Sequence, residues 1–249
     1  MNDTPRPLTE HLTELRQRLF WALGTWLVFA IVAGYWARDV FEILMLPAIA
    51  AVRAKGHTLL AIAPPELFFT YVKSAILAGF VTSLPVILYQ GWSFVSPGLY
   101  ANERRFALPF VLSTFLLFLM GCSFGYFFAF PTVFNWFLSL EADYVTTSWT
   151  TQAVFSFVAR LYLVFGLAFE LPIVIVFLAL AGIVTPERLA RTRRYAILCN
   201  FIAAAILTPA DPASQIMLAV PLIVLYEAGI WTARLLVRSR DKAASAETG

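Results

Sequence analysis

Long apolar segments constrain this chain more than any other feature of its sequence. Crossing the roughly 30 Å hydrocarbon core of a bilayer takes about twenty mostly apolar residues of α-helix. Four stretches meet this requirement directly: 19–37, 72–95, 106–130 and 161–183. With 60% hydrophobic and 13% charged residues, the chain carries more apolar surface than a water-soluble core of its length needs. The sequence therefore predicts an all-α polytopic membrane protein.

Two shorter apolar segments follow the basic stretch at 188–194. They cover 195–208 and 214–232, and the sequence Pro-Ala-Asp-Pro at 209–212 separates them, which is typical of a tight helical hairpin. The first would span only about 21 Å as a helix, so it needs local membrane thinning or shielding by neighbouring helices. We therefore predict six transmembrane helices with a short fifth and sixth helix.

The positions of lysine and arginine indicate the orientation of the spans. If the N-terminus is inside, six spans place thirteen of the eighteen basic residues on the cytoplasmic side, leaving five in or beside the outer connections. Positive charge collects on the cytoplasmic side of membrane proteins. This asymmetry predicts that both termini are cytoplasmic. We expect one transmembrane domain over 1–235 and a polar, disordered tail over 236–249.

Glycine and proline indicate the shape of the helices. Gly121 and Gly125 form a small-xxx-small pair that would let another helix approach closely, although glycine is also simply common in membrane helices. Prolines within the spans, such as Pro131 and Pro172, remove helical hydrogen bonds and favour curved helices, and hence a cupped bundle. Around Pro47, apolar residues in the outer connection 38–70 predict short amphipathic helices at the outer interface.

Glu170 is the unusual polar residue inside the spans. An ionised carboxylate at the centre of a membrane helix costs about 2.5 to 3.5 kcal/mol on insertion scales. Glu170 should therefore either face a water-filled groove used in function or be a neutral carboxyl bonded to a neighbouring helix. Thr208 and Gln215 are milder cases, and such residues are usually hydrogen-bond partners between helices.

Two carboxylates lie at the cytoplasmic boundary in otherwise basic surroundings. Glu14 is four residues before Arg18, a spacing that permits an ion pair on one helix face. Glu103 follows a Pro-Gly turn near Phe94 and precedes Arg104 and Arg105. From spacing alone, local pairing is the favoured explanation for both carboxylates, and binding of an external cation is the other.

Catalysis, cofactor binding and metal binding find little support in the sequence. His11 and His57 are the only histidines, and no span combines a serine with a histidine that could activate it. Cys122 and Cys199 lie in apolar stretches, where cysteine is usually a packing residue. The net charge of +3 is explained by cytoplasmic loops without nucleic-acid binding.

Motifs along nearly the whole chain resemble the TatC family. The opening motif is His11-Leu12-x-Glu14-Leu15-Arg16-x-Arg18, and the most specific one is Phe94-x-Ser96-Pro97-Gly98-Leu99 with Glu103-Arg104-Arg105. Further matches are Tyr126 before Phe130-Pro131, Phe169-Glu170-x-Pro172, Gly182-Ile183 with Thr185-Pro186, Leu207-Thr208-Pro209-x-Asp211 and Ser214-Gln215. One departure is Ala210, where many members have a second proline.

This resemblance implies a glove-shaped receptor of the bacterial inner membrane that binds twin-arginine signal peptides of folded proteins. With TatA and TatB, such a receptor moves its cargo across the membrane, driven by the proton-motive force, and we expect several copies to assemble. The resemblance assigns peptide binding to Glu14, Glu103, Phe94 and Arg16. It also assigns intramembrane roles to Glu170 and Tyr126, docking of TatA or TatB to Thr208 and Gln215, and outer-loop or structural roles to Pro47 and Asp211.

A secondary transporter or channel for a small solute is the alternative function. A buried glutamate and proline-broken spans fit that class as well. Against it are the absence of a visible internal repeat and the lack of further charges in the middle of the spans.

Overall fold

A computed structural model of the chain describes residues 8–95, 107–141, 147–207 and 212–247. Its helices, in chain order, are α1 (Leu8–Tyr35), α2 (Ala37–Ala54), α3 (Pro64–Val95), α4 (Ala107–Phe124), α5 (Phe130–Ser139), α6 (Thr151–Ala168), α7 (Leu171–Leu180), α8 (Pro186–Arg191), α9 (Arg193–Leu207) and α10 (Pro212–Glu247). A π-helix, Gly125–Ala129, joins α4 to α5. The all-α fold class is therefore confirmed.

The chain divides into two compact units. The first comprises Met1–Leu46, Leu59–Leu116 and Ser148–Ala159, and the second comprises Pro47–Thr58, Leu117–Thr147 and Arg160–Gly249. Because α2, α4 and α6 each contribute residues to both units, the division does not follow the order of the helices. The prediction of a single transmembrane domain over 1–235 stays a prediction.

In the first unit, α1 packs closely against α3 at a glycine. A Cβ on Gly79 would lie 2.5 Å from the Cα of Ala30, so only glycine permits this approach of the two backbones. Trp26 Nε1 donates to Ile76 O at 3.0 Å just beside the crossing. No residue in the most apolar 18-residue stretch of α1 is buried within the protein. Away from the contact with α3, this helix is therefore open to lipid or to other chains.

α2 is amphipathic, as expected for the outer connection, but it is one helix that continues through Pro47. Its buried face repeats at helical spacing and consists of Phe41, Met45, Ala48, Ala51 and Val52. Phe41 packs in the first unit against Tyr71 and Phe155, with ring centroids 5.2 and 6.0 Å away. The opposite face leaves apolar side chains exposed, as a helix lying in a membrane interface would.

In the second unit, α4 and α6 cross at Gly121 and Gly166. A Cβ on Gly121 would lie 2.3 Å from the carbonyl oxygen of Phe165, and one on Gly166 would lie 2.4 Å from the ring of Phe118. Gly125, in the π-helix that follows α4, lies against two aromatic rings, and a Cβ on it would be 3.3 Å from the ring of Phe130 and 3.4 Å from the ring of Phe165. The predicted close approach of another helix at Gly121 is therefore confirmed.

Five helical stretches of the described residues are long and apolar enough to cross a membrane: Leu12–Tyr35, Pro64–Phe94, Leu108–Ser139, Thr151–Leu180 and Pro212–Ser239. Most of them extend beyond the predicted spans, because hydropathy marks the apolar part of a helix and not the turns that continue into the interface. α9 has 15 residues, about 22 Å of helix, and agrees with the predicted short fifth helix. The six-span count, the glove shape and the inward termini stay predictions.

α10 differs from the prediction in two ways. It has 36 residues, so the sixth helix is long, and it continues to Glu247 where the sequence suggests a disordered tail from 236. The reason is local, since residues 241–247 contain three alanines and neither glycine nor proline, and alanine is the best helix former. Polarity alone is therefore a poor guide to where this helix ends.

Candidate functional site

Glu14, in the second turn of α1, is held by Arg18 on the next turn. Arg18 Nε donates to Glu14 Oε1 at 3.0 Å, and Nη2 donates to the same oxygen. The two side chains are only about a quarter exposed, at 27% for Glu14 and 25% for Arg18. The local ion pair that the spacing favours is therefore formed, and any external cation has to share or replace it.

Arg16 faces a different side of α1 from Glu14. Two residues along an α-helix turn the side chain by about 200°. Arg16 lines an open groove of about 690 Å³ along α1, together with Phe20, Trp21 and Gly24, and Glu14 is absent from this lining. The structure thus does not bring these two predicted peptide-binding residues together.

Phe94 lies in the last turn of α3 and is half-buried. One turn before its end, α3 packs against α4 through Trp92 and Phe110, whose ring centroids are 4.3 Å apart. This contact holds the last turns of α3 against α4. Glu103 and the Pro-Gly turn before it lie outside the described residues, so a joint site of Glu14 and Glu103 stays a prediction.

Glu170 lies where the fourth apolar segment breaks into α6 and α7. Pro172 has no N–H, which removes one helical hydrogen bond at this point. The Glu170 N–H donates to Leu167 O at 3.1 Å, three residues back and not four. The Oε1 atom of Glu170 is buried and has no hydrogen-bond partner among the described residues. Among the described residues, this oxygen does not make the hydrogen bond to a neighbouring helix that a neutral carboxyl could make, and the role of Glu170 stays a prediction.

The wall beside Glu170 is aromatic and tightly packed. The rings of Phe169 and Phe124 pack at a tilt with centroids 5.7 Å apart, and the Cβ of Phe169 lies 3.0 Å from where a Cβ on Gly121 would be. The helix break is therefore held against α4 by the same close crossing. This packing fixes the backbone that carries Glu170.

Tyr126 lies in the π-helix that precedes Pro131. The N–H of Phe130 donates to Gly125 O, five residues back, which is the hydrogen bond that defines a π-helix. Such bulges occur frequently at functional sites. The Tyr126 ring packs on the adjacent Phe127 with centroids 4.8 Å apart. The functional role of Tyr126 stays a prediction.

Gln215 ties the first turn of α10 to α9. Its Nε2 donates to Phe201 O at 3.3 Å, which is the interhelical hydrogen bond expected of a polar residue in a membrane hairpin. Thr208 and Asp211 lie outside the described residues. Pro47 lies in the interior of α2.

Glu66 is a residue whose importance the sequence analysis missed. It is 6% exposed, and its two oxygens accept hydrogen bonds from backbone N–H groups, Oε2 from Ile62 at 2.7 Å and Oε1 from Gln152 at 2.8 Å. One carboxylate thus joins the start of α3 to the start of α6. The available signal was an acid in the first turn of a helix that starts with two prolines, a position that favours negative charge.

The described residues contain no group of three His, Cys, Asp or Glu side chains placed to hold a metal ion. His57 is engaged with Glu141, with Nε2 and Oε2 2.8 Å apart.

The long apolar helices define an integral membrane protein built from several spanning helices. The break at Glu170 and Pro172 and the hydrogen bond from Gln215 to Phe201 fit this class of protein. A family model described as Sec-independent protein translocase protein (TatC) matches residues 10–221. The chain therefore belongs to the TatC family, whose members are components of a protein translocase and not enzymes.

Similar proteins cover almost the whole chain. A TatC protein of Desulforapulum autotrophicum is 42% identical over 94% of this chain and 87% of its own length. TatC proteins of Aquifex aeolicus and Escherichia coli K12 are 39% and 36% identical, each over 95% of this chain and 98% and 93% of their lengths. A crystal structure entitled Twin Arginine Translocase Receptor TatC is 38% identical, covers 90% of this chain and 98% of that chain, and has a TM-score of 0.77. A small-solute transporter is accordingly not favoured.

Proposed function

We propose that this chain is the receptor for twin-arginine signal peptides in a Sec-independent translocase of the bacterial cytoplasmic membrane. The observation that carries the proposal is the near whole-length similarity to a solved twin-arginine translocase receptor, at 38% identity. The orientation with both termini in the cytoplasm rests on the thirteen basic residues that six spans place inside. Glu14 is then at the cytoplasmic end of α1.

A carboxylate at this boundary suits a peptide that offers two arginines and then an apolar stretch. The planar guanidinium of arginine can make two parallel hydrogen bonds to a carboxylate, which the single ammonium of lysine cannot reproduce. Glu14 and Glu103 would bind the arginine pair, and Phe94 would contact the start of the apolar stretch. Arg16, on another side of α1, would contribute to this region without touching Glu14.

Glu103→Ala is expected to weaken binding of an Arg-Arg signal peptide about ten- to one-hundred-fold, since a hydrogen-bonded contact between charged groups contributes about 1.5 to 3 kcal/mol. A Lys-Lys variant of the peptide should lose much less, because its binding is already weak. Photo-cross-linking of labelled peptides to the full-length chain in nanodiscs measures both. Glu187→Ala removes an exposed acid from the first turn of α8 and serves as the matched control. An equal loss for both peptides would contradict the proposal.

Glu170 would act after this first contact, when the apolar stretch of the signal peptide enters the membrane. Its buried and unpartnered oxygen supports this role, because an entering peptide can offer a hydrogen-bond donor that the described part of the receptor does not supply. Tyr126 would line the same path.

Glu170→Gln is expected to leave the fold and the arginine contact intact but to reduce deep entry of the signal peptide several-fold. The amide keeps the shape and loses the capacity to become negative. Depth-dependent cross-linking from probes along the apolar stretch measures the change, with thermal stability in detergent as the check on folding. Glu227→Gln is a matched control, because Glu227 is paired with Arg193 at 2.7 Å. Unchanged depth in Glu170→Gln would remove this residue from the mechanism.

TatA and TatB are the proposed protein partners. Thr208, which follows α9 in the sequence, and Gln215, in the first turn of α10, are their proposed docking residues. A short helix such as α9 leaves part of the membrane thickness uncovered, which favours association with other helices. We expect several copies of the chain in the assembled receptor.

A further inference from the structure

The carboxylate assigned to the signal peptide already holds a guanidinium. Arg18 approaches Glu14 through two N–H groups, at Nε and Nη2, that share Oε1. Both side chains are mostly covered, so the pair is better shielded from water than an ordinary surface pair. The receptor thus presents, within its own first helix, the contact that its proposed ligand would make.

We propose that Arg18 is an internal competitor of the signal peptide, which occupies the Glu14 carboxylate until a peptide arginine replaces it. This inference rests on the proposed function. Once a peptide arginine displaces Arg18 from Glu14, the charge of Arg18 is no obstacle. A long arginine side chain near a helix end can reach the headgroup region or water. Arg18 acts through Glu14 and is therefore a positioning residue.

The spacing of the pair explains why this competitor is always present. Residues four apart on a helix are neighbours at any moment that the helix is formed, so the contact needs no other part of the protein. A peptide arginine that replaces Arg18 exchanges one guanidinium for another at this carboxylate. The net gain at Glu14 is therefore small, and stable binding needs the second arginine and the apolar stretch as well.

This exchange predicts a specific pattern of affinities. A competitor that occupies the site most of the time reduces the apparent affinity of every cationic ligand by the same factor, because the binding-competent fraction is lowered equally for all. Removing Arg18 should therefore increase the affinity for Arg-Arg and Lys-Lys peptides by the same factor. The preference for arginine should remain, since it depends on the geometry of the carboxylate.

Arg18→Gln is expected to lower the dissociation constant of a synthetic Arg-Arg signal peptide about two- to six-fold, the factor expected for losing a partly buried pair of this kind. The measurement is fluorescence titration of the peptide with the full-length chain in nanodiscs. Arg18→Lys keeps the charge and loses the two-pronged contact, and it should give a smaller tightening. Arg38→Gln breaks a matched i,i+4 pair with Glu42 on another helix and should change nothing.

Combining the change with Glu14→Gln separates competition from the loss of a positive charge. In the Glu14→Gln background, Arg18→Gln should no longer tighten binding, whereas a general charge effect would persist. Equal tightening in both backgrounds, or no tightening with Glu14 present, would overturn the inference. If Glu14→Gln alone left peptide binding unchanged, the assignment of Glu14 within the proposed function would fail. If Glu14→Gln weakened binding while Arg18→Gln had no effect, only the competitor role would fail.

Discussion

Gly121→Ala is expected to destabilise the protein by about 2 to 4 kcal/mol. The new Cβ would lie 2.3 Å from the backbone oxygen of Phe165 and 2.9 Å from its carbonyl carbon. Backbone atoms cannot rotate away as a flexible side chain can, so α4 and α6 must move apart along their contact. Overpacking of this kind typically costs about 1 to 3 kcal/mol or more, and the separation would also loosen the packing of Phe169 beside Glu170.

The measurement is thermal unfolding of the purified chain in detergent, followed by intrinsic fluorescence. Gly24→Ala is the matched control, because a Cβ on Gly24 would meet nothing within 4 Å and alanine is the better helix former. The control should therefore be as stable as the unchanged protein or slightly more stable. If Gly121→Ala unfolded at the temperature of the control, the close crossing of α4 and α6 would not be needed for stability.

Glu66→Ala is expected to lower the free energy of unfolding by about 2 to 4 kcal/mol. It leaves the N–H groups of Ile62 and Gln152 without their acceptor, and each buried unpaired polar group costs about 1 to 3 kcal/mol. The connection before α6 would lose its attachment to the start of α3. A backbone pairing of Leu60 with the residues before α6 would remain, with Leu60 N donating to Trp149 O at 2.9 Å.

Limited proteolysis of the segment before α6, together with thermal unfolding, measures this effect. Glu66→Gln should be intermediate, because its amide oxygen can accept one of the two hydrogen bonds. Glu42→Ala provides the matched control, since Glu42 pairs with the exposed Arg38 four residues away, and such pairs contribute at most about 1 kcal/mol. Equal protease sensitivity of Glu66→Ala and Glu42→Ala would show that the carboxylate of Glu66 does not hold this segment.

The glycines illustrate how far sequence patterns reach. Gly121 was recognisable from its small-xxx-small spacing with Gly125, and the structure places it against α6. Gly79 makes a similarly close approach to Ala30, which the sequence analysis did not predict. Its signal was present, because Ala75 and Ser83 lie four residues on either side and all three form a stripe of small residues. What the pattern does not contain is the identity of the opposing helix.

The acidic residues divide in the same way. The Glu14–Arg18 pair could be predicted because both residues lie on the same face of one helix, one turn apart. The partners of Glu66 could not, since Gln152 is 86 residues away. Likewise, Glu170 Oε1 has no hydrogen-bond partner in the described part of the chain, and that depends on every helix that packs around it.

The sequence by itself determined the membrane class, the positions of the long apolar helices, the short α9 and the family. These follow from hydropathy, helix length and local motifs, which act over a few turns and do not depend on the rest of the chain. Only the tertiary structure decided which glycines lie at helix crossings and that Glu66 joins two distant helix starts. Those features arise from contacts between segments far apart in the chain, and such contacts exist only once the helices have packed.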